Sequence, residues 1–216
     1  MRQSASSSKG CNAVQRASLP NFAAALDAAP LNRAAFDTPA DAPLLLGMGR
    51  LHASKAHDVS LRALALLPEA YLWIAGDGPD EVKLKALAKE LGIAPRVRFL
   101  GWRNDAPALY RTADACVFPS RFEPLGNVVI QAWAYGLPII AAASQGPAAL
   151  IKDGIDGFLT PIDDAETLAD RARLVLADAS LRQSVANAGL IRVGADFSEV
   201  AVVTRWRDVF AQYGGD

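Results

Sequence analysis

The sequence predicts a doubly wound α/β fold, in which helices cover both faces of a parallel sheet. From residue 44 onward, short apolar runs alternate with segments whose apolar residues recur at helical spacing. The apolar runs are continuous and do not alternate with polar residues, which is typical of strands buried on both faces of a parallel sheet. Beyond the last run the spacing is helical only, which predicts C-terminal helices after the sheet.

The first two strands and helices follow one another directly. Residues 44–48 (LLLGM) are an apolar run that ends at glycines, and residues 58–67 carry apolar side chains at helical spacing before a proline. Residues 71–76 (YLWIAG) form the second predicted strand, which an Asp-Gly-Pro turn closes. The clearest helix is 79–92, because it begins with proline and acidic residues and stops at a glycine.

The centre of the chain repeats this alternation. Residues 96–101 (RVRFLG) are the third predicted strand, and 104–113 form a short helix with an Asn-Asp pair as its cap. Residues 114–119 (DACVFP) are the fourth strand. The apolar segment 126–135 is predicted to be a helix because a glycine follows it.

The last strands are short and the chain ends in helices. Residues 138–143 (PIIAAA) are the fifth predicted strand, 146–151 a helical turn and 157–161 (GFLTP) the sixth strand. Helices are predicted over 164–177 and 198–213, where apolar residues recur at steps of three and four.

Length and composition predict one globular domain with an appended segment. The chain has 216 residues, of which 51% are hydrophobic and 21% charged, so it can bury a substantial core. Residues 1–40 are rich in small, polar and proline residues and are predicted to be a leader and linker, partly disordered. Residues 41–216 are predicted to be the ligand-binding domain.

Charge and cysteine content argue against several classes of function. The net charge of −1 indicates no nucleic-acid partner and does not point to a membrane surface, although it does not exclude contact with one. Cys11 and Cys116 are too few for a disulfide framework, and with His52 and His57 as the only histidines no metal site is predicted. No apolar run reaches the about 20 residues of a membrane span, and the leader lacks a secretory pattern, so the expected location is the cytoplasm.

The residues that follow the strands suggest a site for a ligand. In such sheets ligands bind beyond the carboxyl ends of the strands. After the first strand, Gly49 allows close backbone approach, and Arg50 and Lys55 bring two positive charges that can bind phosphate. After the fourth strand, the helix that starts near Gly126 offers free N–H groups to an anion. Glu123 is expected to stand a few ångströms apart and to accept hydrogen bonds from hydroxyls, and a ligand with phosphates and hydroxyls is a sugar nucleotide.

Five motifs in combination resemble the C-terminal, donor-binding domain of the glycosyltransferase group 1 family, the retaining GT-B group often called family 4. The motifs are LPNF (19–22), GRLHASK (49–55), IAGDGP (74–79), VRFLGW (97–102) and ADACVFPSRFEPLGNVVIQAWAYGLPII (113–140). The resemblance covers roughly residues 19–213. Its specificity lies in the combination, since any single motif is weak.

This resemblance implies a role for each candidate residue. Arg50 and Lys55 would bind the diphosphate and stabilise it as it leaves, and Glu123 would hold hydroxyls of the donor sugar; these three are the candidate catalytic residues. Where the family has a second glutamate for the ribose, this chain has Gln131, an uncharged acceptor, at a cost of about 1 kcal/mol. The other contacts implied for phosphate and base are Gly49, Gly101, Leu125, Gly126 and Asn127.

The same resemblance implies that the chain is one half of a GT-B enzyme. Family members place the reaction in a cleft between two Rossmann-like domains, and only the donor half is recognisable here. The expectation is therefore a hexosyltransferase domain that needs no metal or cofactor, takes a nucleoside diphosphate sugar, and transfers nothing without an N-terminal acceptor domain or partner chain.

Two other functions remain open at this level. The domain could be a non-catalytic nucleotide-binding module or one subunit of a split enzyme. It could also bind NAD, because Gly47 and Gly49 imitate part of a dinucleotide fingerprint and Asp77 follows the second strand. His52 stands where the third glycine of that fingerprint would be, which weakens the NAD interpretation.

Overall fold

The computed structural model describes residues 21–213, and it confirms the predicted α/β fold. The strands are β1 (Leu44–Met48), β2 (Tyr71–Ala75), β3 (Val97–Gly101), β4 (Ala115–Phe118), β5 (Ile139–Ala142) and β6 (Phe158–Thr160). The α-helices are α1 (His57–Ala65), α2 (Glu81–Glu90), α3 (Ala106–Thr112), α4 (Asn127–Ala134), α5 (Gln145–Leu150), α6 (Ala165–Ala177), α7 (Ala179–Arg192) and α8 (Glu199–Tyr213). Each predicted strand and helix is present, with ends that differ by a residue or two. Residues 1–20 of the predicted leader and linker, including Cys11, lie outside the described residues.

The sheet is parallel throughout and its strand order reverses beside β1. The order is β3-β2-β1-β4-β5-β6. The chain therefore moves outward from β1 to β3, returns to the other side of β1 as β4, and continues outward to β6. The loops that follow β1 and β4 diverge at this reversal, which leaves a crevice at the carboxyl ends of these two strands. The loop that carries Arg50 and Lys55 and the loop that carries Glu123 both lie at this crevice.

Continuous apolar strands are needed because both faces of the sheet are covered. Alternate residues of β1 enter different cores: Leu45 packs in one cluster with α1 and α6, and Leu44 and Leu46 pack in the other with α4. All three are buried, as successive side chains of a strand must be when each face carries helices. Cys116 of β4 is also buried, and its thiol is free.

The turns after β1 and β2 pack directly against each other through glycine. Gly76 has φ of +142°, and a Cβ built there would lie 2.1 Å from the carbonyl oxygen of Gly49. Gly49 in turn donates its N–H to the carbonyl of Ala75. A side chain at position 76 would separate the two turns, so glycine here sets the position of the loop that carries Arg50 and Lys55.

Residues 21–40, predicted to belong to a linker, lie against the domain. The N–H of Ala23 donates to the carbonyl of Phe197 beyond α7, and the N–H of Leu31 donates to Thr112 at the end of α3. Thr38 is buried and accepts the indole N–H of Trp73.

The C-terminal helices include one that the sequence does not predict separately. Helical structure is predicted beyond residue 161, but α7 has no predicted bounds of its own. Asp178 starts α7 by accepting hydrogen bonds from two N–H groups of its first turn, and a π-helical segment, Val193–Phe197, follows. On α8, Trp206 stacks on Phe210, and both remain partly exposed. Within residues 21–213, no helix combines the length and the apolar character that crossing a membrane requires.

Candidate functional site

Lys55 links the loop after β1 to the loop after β4. It ends a short 3-10 turn, Ala53–Lys55, which His52 caps by accepting the N–H of Ser54. The aliphatic stem of Lys55 lies over Gly49, where a Cβ would be 3.6 Å from it. Its ammonium lies 5.3 Å from the ring centroid of Phe118 at the end of β4. The side chain therefore spans the crevice between β1 and β4.

The carboxylate of Glu123 meets that ammonium. Lys55 Nζ donates to Glu123 Oε2 over 2.6 Å, and the two side chains are mostly buried. The other carboxylate oxygen, Oε1, accepts the N–H groups of Gly126 at 3.0 Å and Leu125 at 3.3 Å. These two amides lie immediately before α4, whose first residue is Asn127.

This position of Glu123 corrects the expectation from the sequence. The carboxylate does not stand apart from the amides of Leu125 and Gly126 but binds them. The physical reason is local, since Glu123 lies three residues before Gly126, and its side chain can fold back onto the N–H groups just before α4, near the positive end of the helix dipole. The amides of Leu125 and Gly126 therefore bind an anionic oxygen that belongs to the protein itself.

The electrostatics of Glu123 follow from these contacts. Burial by itself would raise the pKa of Glu123, but the hydrogen bonds from Lys55 and from the N–H of Gly126 outweigh it, and the pKa is lowered. The carboxylate is therefore ionised at neutral pH, and Lys55 faces a full negative charge.

Arg50 lies in the same loop but does not join this contact. Its side chain is exposed, and among residues 21–213 it forms no salt bridge. The structure therefore places Arg50 at the rim of the crevice, five residues before Lys55, with its guanidinium in solvent.

The predicted glycines connect neighbouring strand ends. Gly101 ends β3 with φ of +66°, and its carbonyl accepts the N–H of Gly76. Gly76 packs on Gly49, so the ends of β3, β2 and β1 form one continuous backbone surface. This surface leads from the Lys55 loop towards the exposed indole of Trp102.

Asn127 and Gln131 lie one turn apart on the same side of α4. They line a cavity of ≈ 240 Å³ together with Asn21 and neighbouring side chains. Asn127 accepts a hydrogen bond from Asn21, and Gln131 accepts one from the hydroxyl of Tyr110. Neither side chain hydrogen-bonds to Lys55 or Glu123, so the structure brings these two residues to a flank of the site.

His57 lies against the turn after β1. It is the first residue of α1, but its side chain is buried and its Nε2 lies 3.3 Å from the carbonyl oxygen of Gly49. Burial is the main cause that lowers its pKa to about 4. The imidazole is therefore neutral at pH 7, and it stabilises the turn at Gly49 through this contact.

Two positions near the site carry no signal that the sequence analysis recognised. Gly146 in α5 donates its N–H to the carbonyl of Glu123, and a Cβ there would lie 2.7 Å from the backbone of Leu125 and Gly126. Arg121 binds Asp58 of α1 with two parallel hydrogen bonds. Both hold the loop that carries Glu123. Within the described residues, no three side chains of the metal-ligating types lie together.

Comparison with known proteins gives related sequences over most of the chain. Residues 29–191 match the family described as glycosyl transferases group 1. The chain is 37% identical over 193 residues to the lipopolysaccharide core biosynthesis glycosyltransferase LpsE of Rhizobium meliloti (strain 1021), covering 89% of this chain and 57% of that protein.

Solved structures show the same architecture. Sucrose-phosphate synthase from Thermosynechococcus elongatus is similar with a TM-score of 0.80 and 30% identity, over 90% of this chain and 51% of that one. HepE from Anabaena, solved in complex with UDP-glucose, has a TM-score of 0.76 and 27% identity, over 80% of this chain and 49% of that one. The chain spans about half the length of the relatives that it matches.

Proposed function

The chain belongs to the glycosyl transferases group 1 family, and we propose that it is the donor-binding domain of a retaining glycosyltransferase. The donor is a nucleoside diphosphate sugar, and the group transferred is a hexose. The observation that carries the proposal is the convergence of Lys55 and the amides of Leu125 and Gly126 on one carboxylate at the crevice between β1 and β4. Three donors that already bind anionic oxygen suit a diphosphate.

The donor diphosphate competes with Glu123 for these groups. On binding, Lys55 turns from the carboxylate to a phosphate oxygen, and Arg50 folds in from solvent to bind a second one. Glu123 is then free to accept hydrogen bonds from sugar hydroxyls. As the bond from the sugar to the diphosphate breaks, negative charge grows on the leaving oxygen, and the two cations and the helix amides stabilise it.

The nucleoside lies along the backbone surface formed by the ends of β1, β2 and β3. Adjacent strands are about 4.8 Å apart, so this surface extends roughly 10 Å from the phosphate site, which matches the reach from a diphosphate to its base. The base lies near Gly101, and the ribose lies towards Gln131. HepE was solved with UDP-glucose, which makes a UDP-sugar the first donor to test.

The acceptor and its binding half are part of the same proposal. Relatives are about twice as long as the stretch that matches here, and GT-B enzymes react in a cleft between two domains. We expect transfer to need a second Rossmann-like half, supplied in the same polypeptide or by a partner. A binding module without catalysis is the second candidate, and the family match favours both over an NAD enzyme.

Titration calorimetry of the full chain with UDP, GDP, ADP and NAD tests the proposal. We expect one nucleoside diphosphate to bind and NAD to give no heat. Arg50→Ala should weaken that binding by roughly tenfold, as loss of a charged hydrogen bond does. Arg207→Ala, an exposed arginine on α8, is the matched control and should bind like the wild type. Equal, negligible heats for all four compounds would defeat the proposal.

A further inference from the structure

We infer that Arg121 is a positioning residue for the donor sugar, because it fixes the loop carrying Glu123 against the loop carrying Lys55. The inference rests on the proposed function and adds to it a residue that touches no part of the donor. Arg121 lies two residues before Glu123, and its side chain points back across the crevice to α1 and to the turn before α6.

The side chain of Arg121 binds three separate segments. Its Nη1 and Nη2 donate to the two carboxylate oxygens of Asp58 at 2.9 and 2.7 Å, which is the bidentate geometry of a strong pair. Nη1 also donates to the carbonyl of Ala53 at 2.7 Å. Nε donates to Asp163 at 2.5 Å, in the turn between β6 and α6.

The backbone adds a second connection between the same two loops. The N–H groups of Arg121 and Phe122 both donate to the carbonyl of Ser54, at 2.9 and 3.4 Å. Ser54 is the residue before Lys55, and Phe122 is the residue before Glu123. Lys55 and Glu123 therefore each follow directly after a residue that hydrogen-bonds to the other loop.

This arrangement makes the Lys55–Glu123 spacing depend on Arg121. Only the planar guanidinium can bind Asp58 through two nitrogens and still reach Ala53 and Asp163; an ammonium offers a single point of attachment. Burial alone would raise the pKa of Asp58, but the hydrogen bonds from Arg121 outweigh it and lower the pKa, so the pair is charged at neutral pH. The guanidinium is about one-third exposed, so solvent screens its charge. The geometry of its hydrogen bonds therefore contributes more than its charge to holding the two loops together.

A second arginine provides a matched control. Arg33 binds Asp114 and the carbonyls of Ala42 and Thr112 with the same chemistry. Asp114 precedes β4 and binds the N–H of Leu44, so this cluster lies at the amino ends of β1 and β4, the opposite edge of the sheet. Arg33→Gln removes a comparable set of hydrogen bonds and leaves the Lys55 loop and the Glu123 loop unchanged.

The test compares UDP with UDP-glucose by titration calorimetry of the full chain. We expect Arg121→Gln and Arg121→Lys to weaken UDP-glucose about tenfold and UDP by less than about twofold. Arg33→Gln should leave the ratio of the two affinities unchanged. In combination with Glu123→Gln, Arg121→Gln should have no further effect on that ratio, because both act on one contact.

Several results would overturn the inference. One is an Arg121→Lys protein whose ratio of UDP-glucose to UDP affinity equals that of the wild type. A second is an equal loss of affinity for both compounds. A third is a double variant in which the effects of Arg121→Gln and Glu123→Gln on that ratio multiply. If the wild type binds no nucleotide, the proposed function fails, and an NMR titration of Glu123 still decides on Arg121. The pKa of that carboxyl should rise in Arg121→Lys and stay unchanged in Arg33→Gln; an unchanged pKa in both would overturn the positioning role.

Discussion

The ammonium of Lys55 lies 2.6 Å from a carboxylate oxygen of Glu123, although 68 residues separate them in the chain. Lys55 follows β1 and Glu123 follows β4, the two strands between which the strand order reverses. The pair therefore spans the crevice where ligands of such folds bind. One partner can bind a phosphate and the other a hydroxyl, so their contact couples the two ends of a sugar nucleotide.

Removing the charge of Glu123 should separate binding of the nucleotide from binding of the sugar. Glu123→Gln frees Lys55 from its ion pair, so UDP should bind as tightly as in the wild type or up to about fivefold tighter. UDP-glucose should lose about tenfold relative to UDP, because the hydroxyl acceptor loses its charge. Calorimetry with both compounds measures this.

Lys55→Met provides the opposite control for that experiment. It removes the phosphate contact and keeps most of the apolar stem, so both compounds should bind more weakly by a similar factor. Equal losses for UDP and UDP-glucose in Glu123→Gln would instead remove Glu123 from the sugar pocket.

A methyl group at position 146 should displace the loop that carries Glu123. Gly146→Ala places a carbon 2.7 Å from the backbone of Leu125 and Gly126, and backbone cannot yield as a flexible side chain does. We expect the unfolding free energy to fall by about 1–3 kcal/mol, as for overpacking, and UDP affinity to fall with it. Urea denaturation and calorimetry provide the measurements.

Gly194→Ala is the matched substitution for this test. A Cβ at Gly194 meets no atom within 4 Å, so stability and UDP affinity should both stay near the wild-type values. If Gly146→Ala were equally silent, the close packing of α5 on the Glu123 loop would be refuted.

Buried His57 should make the protein less stable in mild acid. Its pKa is lowered from 6.5 to about 4, chiefly by burial, so the unfolded chain binds a proton that the folded chain does not between these pH values. The contribution of His57 to the unfolding free energy is zero above pH 6.5. It becomes increasingly unfavourable as the pH drops to about 4, where it has lowered the unfolding free energy by about 3 kcal/mol. Urea denaturation across this range measures the loss.

His57→Gln should remove that part of the pH dependence. Its amide can still donate to the carbonyl of Gly49, and it does not titrate. The difference in unfolding free energy between the variant and the wild type should therefore change steadily from pH 6.5 to 4. A difference independent of pH would show that His57 is not the group responsible.

Restoring a carboxylate at position 131 should strengthen binding of the ribose. Gln131→Glu keeps an acceptor for the hydroxyl of Tyr110 and adds a charge, so UDP should bind roughly fivefold tighter, equivalent to about 1 kcal/mol. Calorimetry with 2′,3′-dideoxy-UDP is the control, since it lacks the hydroxyls concerned. A similar gain for both nucleotides would place the ribose elsewhere.

Much of the fold follows from local pattern. The run Leu44–Met48 reads as a strand buried on both sides because its side chains are continuously apolar, and the structure places it at the centre of the sheet. The start of α4 at Asn127 follows from the glycine before it and the apolar residues after it.

Contacts that join distant segments have no such signal. Nothing in the stretch around Gly146 indicates that it lies on the backbone of the Glu123 loop, and His57 reads as an ordinary polar residue at the start of a helix. Arg121 and Asp58 are 63 residues apart, and neither stands out by spacing or composition. The sequence motifs therefore name the groups that can bind a ligand but not the groups that hold them in place.

The amino-acid sequence alone determined the order of strands and helices and the loops that carry cations, glycines and a carboxylate. Periodicity and turn chemistry are properties of neighbouring residues, so they can be read without a structure. Only the tertiary structure decided that Glu123 binds Lys55 and the α4 amides, that Arg50 stays in solvent and that His57 is buried. Those outcomes depend on which loops the parallel sheet brings side by side and on how much water the packing excludes, and no local pattern encodes either quantity.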